Sequence, residues 1–543
     1  MKDDKAFNTF ILSHLWVAFG SLGLACVLGF YQVVERSGLI PALQSPGVYF
    51  ASVSTHGVLM AFVLTTFFIM GFGYLIATTS LKMSIPCPKL AWAGFWIALA
   101  GTVMAAIPLL IGKASVLYTF YPPVQASVFF YLGAALLVVG SWFWAVNMVV
   151  MFRKWKQAHP GEAVPLAMFG NTSNAILWLW TSVGVAVEVL FQLIPWSMGW
   201  LDTIDVGLAR TLFSWTLHPI VYFWLIPAYV ALYSLVPAAA GGKLFSHDLA
   251  RLAFILLLVL GLPIGFHHLY MDPEQGHGFK LIHALGTFLV ALPTLLTGFT
   301  VIASLEKAGR DHGGKGLFGW IGALPWRNPV VLSAILAFVM LLAGGFGGIV
   351  NASYAMNAMI HNTAWVSGHF HLIFGGTTVI LYFAVAYAVW PKLTGRALVE
   401  GSLPLLQLWS WFFGMIILST PWHILGLLGQ PRRISSVTYN SLLTLAWDPY
   451  ELAMIVGGAI VMGSGLLFVY ILYRSQKEGK LQSGDLVEIR YAEPLHPATH
   501  VPSLLNNFGL WNLLILALMI ANFGYPIAQF FLVKTFGSVA WGY

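Results

Sequence analysis

A chain of 543 residues in which 59% are hydrophobic and only 8% charged has too few charges to cover a soluble surface. Its mean hydropathy of +0.82 comes from apolar runs that recur end to end, each about 20 residues long and able to cross a bilayer. The chain therefore reads as one all-α, polytopic membrane helix bundle. A set of soluble domains is excluded.

Hydropathy predicts about thirteen spans. They begin with "FILSHLWVAFGSLGLACVLGFYQVV" and "GVLMAFVLTTFFIMGFGYLIA" and end with "LWNLLILALMIANFGYPIAQFFLV". The preceding "MKDDKAFNTF" carries mixed charge and runs into a span-length apolar stretch, so no cleavable signal is expected. Cys26 and Cys87 are too few and too far apart for a disulfide framework or a CxxC metal site, and read as packing residues.

Loop charges orient the bundle. With the N-terminus cytoplasmic, the even-numbered loops lie inside and carry Arg153, Lys154, Lys156, Lys243, Arg251, Lys307, Arg310, Lys315, Lys392, Arg396, Arg474, Lys477 and Lys480. The opposite loops are poor in Lys and Arg and include Asp272 and Glu274. This asymmetry places the C-terminus outside and makes residues 474–503 a cytoplasmic connection before the last span. The net charge of +7 is then mostly topological, and no nucleic-acid partner is expected.

Ionisable groups inside apolar runs are costly and face a partner or a cavity. One intramembrane histidine can be an interhelical hydrogen bond; six on four spans point to buried metal centres. In chain order they are His56 in "STHGVLMAF", His218 in "WTLHPIVYFW", His267 and His268 in "IGFHHLY", and His369 and His371 in "WVSGHFHLIF". Neutral imidazole is a good ligand for heme iron and copper.

Spacing divides the six. Residues two apart on a helix are rotated by about 200°, so His369 and His371 face opposite sides and cannot share one iron. A helix wedged between two hemes would use one on each side, with His56 as the second axial ligand of a six-coordinate heme. Pro263 weakens the helix just before His267 and His268, which lets adjacent side chains converge on one ion with His218. Three imidazoles leave an open position for a small ligand. Tyr222 follows His218 by four residues and shares its helix face, where a phenol can supply both a proton and an electron. Taken alone, the doublet Arg432 and Arg433 reads as an interfacial anchor pair.

The set "HG" at His56, "HPIVY" from His218 to Tyr222, "HH" at His267 and His268, "GHFH" ending at His371 and "PRR" at Arg432 and Arg433 resembles subunit I of heme-copper oxygen reductases, and the B-type family in particular. That resemblance extends over most of the chain and implies the heme-copper oxidase subunit I fold in the cytoplasmic membrane of a prokaryote. It implies His56 and His371 as axial ligands of a low-spin heme of b or a type, and His369 as proximal ligand of a high-spin heme of a or o type. His218, His267 and His268 would hold CuB, with Tyr222 covalently joined to His218, and Arg432 and Arg433 would pair with heme propionates, a planar guanidinium suiting two-point binding of a carboxylate. The implied reaction is four-electron reduction of dioxygen to water, coupled to proton pumping.

Two departures qualify the match. Where the best-known branch of the superfamily has a glutamate in "HPE", this chain has Ile220, so proton input is expected through Tyr222, Tyr229, Tyr233, Thr294 and Thr297, a set similar to the B-type input path. His361 and Asn362 match residues near the high-spin heme propionates, but Asn357 stands where an acid is expected, leaving His361 and a propionate to load pumped protons. No CxxxC motif is present, so CuA is expected on a partner subunit II, with cytochrome c or quinol as donor. The competing readings are a nitric oxide reductase of the same superfamily, against which Tyr222 and Ile220 argue, and a heme-free proton-coupled transporter, which leaves the spacing of the histidines, tyrosine and arginine pair unexplained.

Overall fold

The computed structural model describes residues 2–43, 45–399, 401–436, 441–482, 488–496 and 501–532. Lipid offers backbone groups no partner, so spanning segments must satisfy their own hydrogen bonds as helix. The described residues are accordingly almost all helical, with isolated β-bridges as the only extended pairings among them.

Among the described residues twelve helices are long and apolar enough to cross a membrane. With one shorter helix they run in chain order as α1 (Lys2–Ser37), α2 (Pro46–Leu81), α3 (Pro88–Leu110), α4 (Val128–Ala158), α5 (Leu166–Ser197), α6 (Val206–Ala239), α7 (His247–Gly261), α8 (His277–Asp311), α9 (Pro329–Ala352), α10 (Ala364–Thr394), α11 (Leu403–Leu427), α12 (Asp448–Glu478) and α13 (Gly509–Leu532). The shorter one is α7, at 15 residues. It stops ahead of Pro263, whose missing N–H and ring end a helix, and the chain turns into a single 3-10 turn at Phe266–His268.

Between membrane helices lipid tails remove most of the hydrophobic drive, so close backbone approach has to supply the packing. On α3 and α4 small residues face each other in register. A methyl added at Gly94 would lie 2.8 Å from the carbonyl oxygen of Gly140, and one at Gly133 would lie 2.8 Å from Ala105 Cβ. The interior belongs to α6, α2 and α10, whose most apolar windows are 94%, 89% and 89% buried, against 33% for α13. Those three innermost helices carry His218, His56, and His369 with His371.

Each of them is also locally irregular beside its histidine. α6 is jointed at His218, because Pro219 removes an amide donor at the start of the second segment. α2 passes through a π segment at Leu59–Leu64, and α10 through another at His371–Val379. Such bulges re-aim side chains and cluster at functional sites.

The basic loops gather at one end of the bundle. There Asn8 donates to the Lys392 carbonyl at 3.5 Å, Leu244 N to Glu493 O at 2.8 Å, and Arg396 to Gly479 O at 2.8 Å. The described parts of 474–503 lie at this end; 483–487, 497–500 and the stretch 533–543 are outside the described residues. One expectation is corrected: Cys26 is buried as a packing residue, but Cys87 is exposed, because it lies just ahead of Pro88 where α3 begins.

Candidate metal centres

The joint in α6 and the turn after α7 bring His218, His267 and His268 together, with one ligand nitrogen of each within 4.8 Å of the others. Their outer contacts set the tautomers. Thr287 Oγ1 donates to His283 O at 2.7 Å, so at 3.0 Å from His267 Nδ1 it can only accept, and His267 Nε2 keeps its lone pair. His218 Nε2 lies 2.7 Å from the Tyr222 hydroxyl; with Nε2–H donating to the phenol oxygen, Nδ1 is free. His268 Nε2 is buried with no partner among the described residues. Three neutral imidazoles aimed at one point with a position left open fit a copper ion.

The second set is built differently. His56 and His371 face one another with ring centroids 6.4 Å apart and planes only 16° from parallel. Two metal–nitrogen bonds of about 2 Å each, added to the ring radii, account for that separation, so one iron fits between them as in a bis-histidine heme. In both rings Nδ1 sits 2.8 Å from a backbone carbonyl, Ala25 O for His56 and Ser367 O for His371, which leaves Nε2 as the ligand atom. His369 points the other way, toward α9, with Nδ1 2.9 Å from Gly344 O. Side chains are excluded around both heme-side rings: a methyl at Gly347 would lie 2.8 Å from His369 Nδ1, and one at Gly29 would lie 3.1 Å from His56 Cε1.

A single cavity of about 1190 Å³ is lined by all six histidines, Tyr222, Arg432 and Arg433. It exceeds the roughly 300–1,000 Å³ of an ordinary ligand pocket and leaves room for more than one large cofactor. At its end away from the basic loops, Arg432 Nε and Nη2 reach Asn362 Oδ1 at 3.2 and 2.8 Å, and Arg433 lies 4.7 Å over the Tyr121 ring. Neither arginine pairs with a carboxylate among the described residues. Burial, then the neighbouring Arg433, pushes the Arg432 pKa down to about 9. Guanidinium groups without a protein carboxylate partner are complementary to carboxylates such as heme propionates.

His361 is on the same side, its Nδ1 3.1 Å from Asn357 Oδ1. Burial, followed by the charges of Arg432, Arg210 and Arg433, pushes its pKa down to about 4, so it is neutral at physiological pH. The structure also explains why an amide suits position 357. Asn357 Nδ2 donates to two backbone carbonyls, His267 O at 3.1 Å and Asn351 O at 2.7 Å, and a carboxylate there would face two acceptors.

The polar residues between this site and the basic end fall into pairs. Tyr229 donates to Thr294 at 3.1 Å and Tyr233 to Thr297 at 2.6 Å, with Thr297 in turn donating to Pro293 O at 2.8 Å. Tyr222, Tyr229 and Tyr233 are all buried on α6, as their spacing requires; no direct hydrogen bond links Tyr222 to Tyr229 among the described residues. Ile220 is buried and has no proton to relay.

Three residues near the centres escaped the sequence reading. Arg36 lines the cavity, pairs with Glu451 at 3.2 Å and lies over Trp422, the ring packed on His371. Thr287 is an ordinary-looking threonine at the level of the sequence. His283 is a further intramembrane histidine, and that alone was a signal.

A family model described as cytochrome c and quinol oxidase polypeptide I matches residues 9–460. Cytochrome c oxidase subunit 1 of Thermus thermophilus is 38% identical over 534 residues, covering 97% of this chain and 93% of that one. The same subunit of Thermostichus vulcanus is 25% identical over 502 residues, covering 88% and 86%. A solved heme-copper terminal oxidase dimer superposes with a TM-score of 0.91 at 37% identity, covering 96% of this chain and 92% of its own.

Proposed function

The chain belongs to the cytochrome c and quinol oxidase polypeptide I family, and on that premise we propose that the cavity between α2, α6 and α10 is where dioxygen is reduced to water. Membership makes it an integral membrane oxidoreductase, the heme- and copper-bearing subunit of a terminal oxidase, and weighs against the nitric oxide reductase and transporter readings. The observation that carries the residue assignment is the convergence of His218, His267 and His268 to within 4.8 Å beside Tyr222.

His56 and His371 are assigned to a low-spin heme, His369 to a high-spin heme, and His218, His267 and His268 to CuB. When bound, these groups would supply the electrons that reduce dioxygen. The chain's own residues do the rest. Tyr222, hydrogen-bonded through its oxygen to His218 Nε2 at 2.7 Å, keeps its own proton available for the reacting oxygen; the covalent junction that the family implies would replace that hydrogen bond. Arg432 and Arg433 hold heme carboxylates at the outer end, and the buried apolar walls keep bulk water from the reaction.

Protons enter from the basic end, where Tyr233 with Thr297 and Tyr229 with Thr294 form successive donor–acceptor steps toward Tyr222. His361 is the group to be loaded with pumped protons: Asn357 fixes its Nδ1–H, so Nε2 is the accepting atom. Residues 1–543 act as one membrane domain with the N-terminus and residues 474–503 cytoplasmic, the C-terminus outside, in the inner membrane of a prokaryote. Electrons arrive from a subunit II that carries CuA and accepts them from cytochrome c, or directly from quinol.

Dioxygen uptake by the purified complex tests this reading, with reduced cytochrome c and then quinol as donor, before and after cyanide. Rapid cyanide-sensitive uptake is expected with one donor. A full heme spectrum without uptake from either would overturn it.

A further inference from the structure

The last span lies beyond the family model's match, which ends at residue 460, yet it reaches the copper-binding turn. Most of α13 faces outward, but its π segment Ile520–Gly524 turns two adjacent residues inward: Asn522 is 8% exposed and Phe523 0%. A π turn frees helix carbonyls from their usual partners. Asn522 O, whose helical donor four residues on would be Pro526 with no N–H to give, lies 3.3 Å from His283 Nε2.

His283 is fully buried on α8, and its two nitrogens are used in opposite senses. Nδ1 accepts the backbone N–H of Phe266 at 3.3 Å, so Nε2 carries the proton and donates to Asn522 O. The ring stacks on Phe266 at 3.9 Å, with planes 8° apart. Asn522 also donates through Nδ2 to Pro263 O at 3.0 Å, and Phe523 packs edge-on against both Phe266 and His283. The segment from Pro263 to Phe266, which has left α7, is thus gripped at both ends immediately before His267 and His268.

We propose that α13 is a positioning strut for the copper site: Asn522 and His283 hold the 263–266 segment in the one conformation that aims His267 and His268 at the same ion. This rests on the assignment of CuB to those histidines. Neither strut residue is a ligand, and both act through backbone atoms of the turn. Outer partners of metal ligands commonly account for about 10–100-fold in metal affinity, the range expected here.

The test is the rate at which a copper chelator strips copper from the purified, heme-replete complex, together with the infrared stretch of carbon monoxide bound at copper. His283→Leu removes both hydrogen bonds and should release copper about 10–100-fold faster, with a broadened carbonyl band and an unchanged heme spectrum. His283→Gln keeps one acceptor and one donor and should recover most of the wild-type behaviour, which a role in packing alone would not produce. Asn522→Ala, which loses only the bond to Pro263, should fall between. Wild-type release from His283→Leu, or a glutamine variant no better than leucine, overturns the proposal. Should His283→Leu fail to assemble, wild-type release from Asn522→Ala overturns it instead. A wild-type complex that holds no copper would refute the assignment of the site and leave the strut without its ligand pair.

Discussion

The three histidines assigned to heme and the three assigned to copper are steadied by different kinds of partner. His56, His369 and His371 each rest Nδ1 on a backbone carbonyl, at 2.8, 2.9 and 2.8 Å, in helices long enough to be held by neighbours along their whole length. His218 and His267 rest on side chains, Tyr222 and Thr287, and His268 has no outer partner among the described residues. A carbonyl survives nearly any substitution; a hydroxyl does not. The copper corner should therefore be the part of the site most open to change by residues that are not ligands, and the heme side the more tolerant one.

The largest effect that separates the regions comes from the ligands themselves. His267→Ala should lose copper and dioxygen uptake while keeping both heme spectra, whereas His371→Ala should lose the low-spin heme spectrum and keep copper. Metal analysis and absorption spectra check this, and joint loss of every cofactor in both variants would erase the distinction. Next, Thr287→Val removes the only acceptor for His267 Nδ1 among the described residues and should weaken copper retention about 10–100-fold, measured by competition with a chelator. Replacing Ser367, whose side chain is not the group bonded to His371, should leave the low-spin heme spectrum unchanged; if both variants behave alike, the contrast in partners is unimportant.

A smaller effect belongs to Asn357, which joins the copper turn to His361. In Asn357→Asp the new carboxyl faces two carbonyl oxygens, so its folded pKa is raised above the unfolded value of about 3.9. The folded protein then holds a proton that the unfolded chain has released, and stability falls as pH rises through that range and on up to the folded pKa. Thermal melting at several pH values should show the variant losing ground to the parent as pH increases. The mildest change is His361→Phe, which should leave turnover near normal while lowering the proton-to-electron ratio in vesicles; an unaltered ratio removes His361 from pumping.

Much of this architecture could be read from order and spacing alone. The apolar runs marked thirteen helical stretches, of which only α7 proved too short to count as a span by length. The turn of about 200° between His369 and His371 foretold that they face opposite sides, and four-residue spacing foretold the contact of His218 with Tyr222. These are local consequences of helix geometry, and they hold once the segment is known to be helical. Even the tyrosine–threonine pairs were half legible: spacing put Tyr229 and Tyr233 on one face, but it took the packing of α8 on α6 to give each its threonine.

The sequence by itself thus determined the class of fold, the membrane context, the histidine set and the division of that set into two groups, because each depends on composition or on helical period. Only the tertiary structure decided which nitrogen of His56, His267, His369 and His371 is free, why an amide suits position 357, and that the last helix packs against the turn before His267. Those features arise from side chains and carbonyls brought together across long sequence separations, such as His283 with Asn522. No periodicity records such a pairing; it exists only when the helices pack.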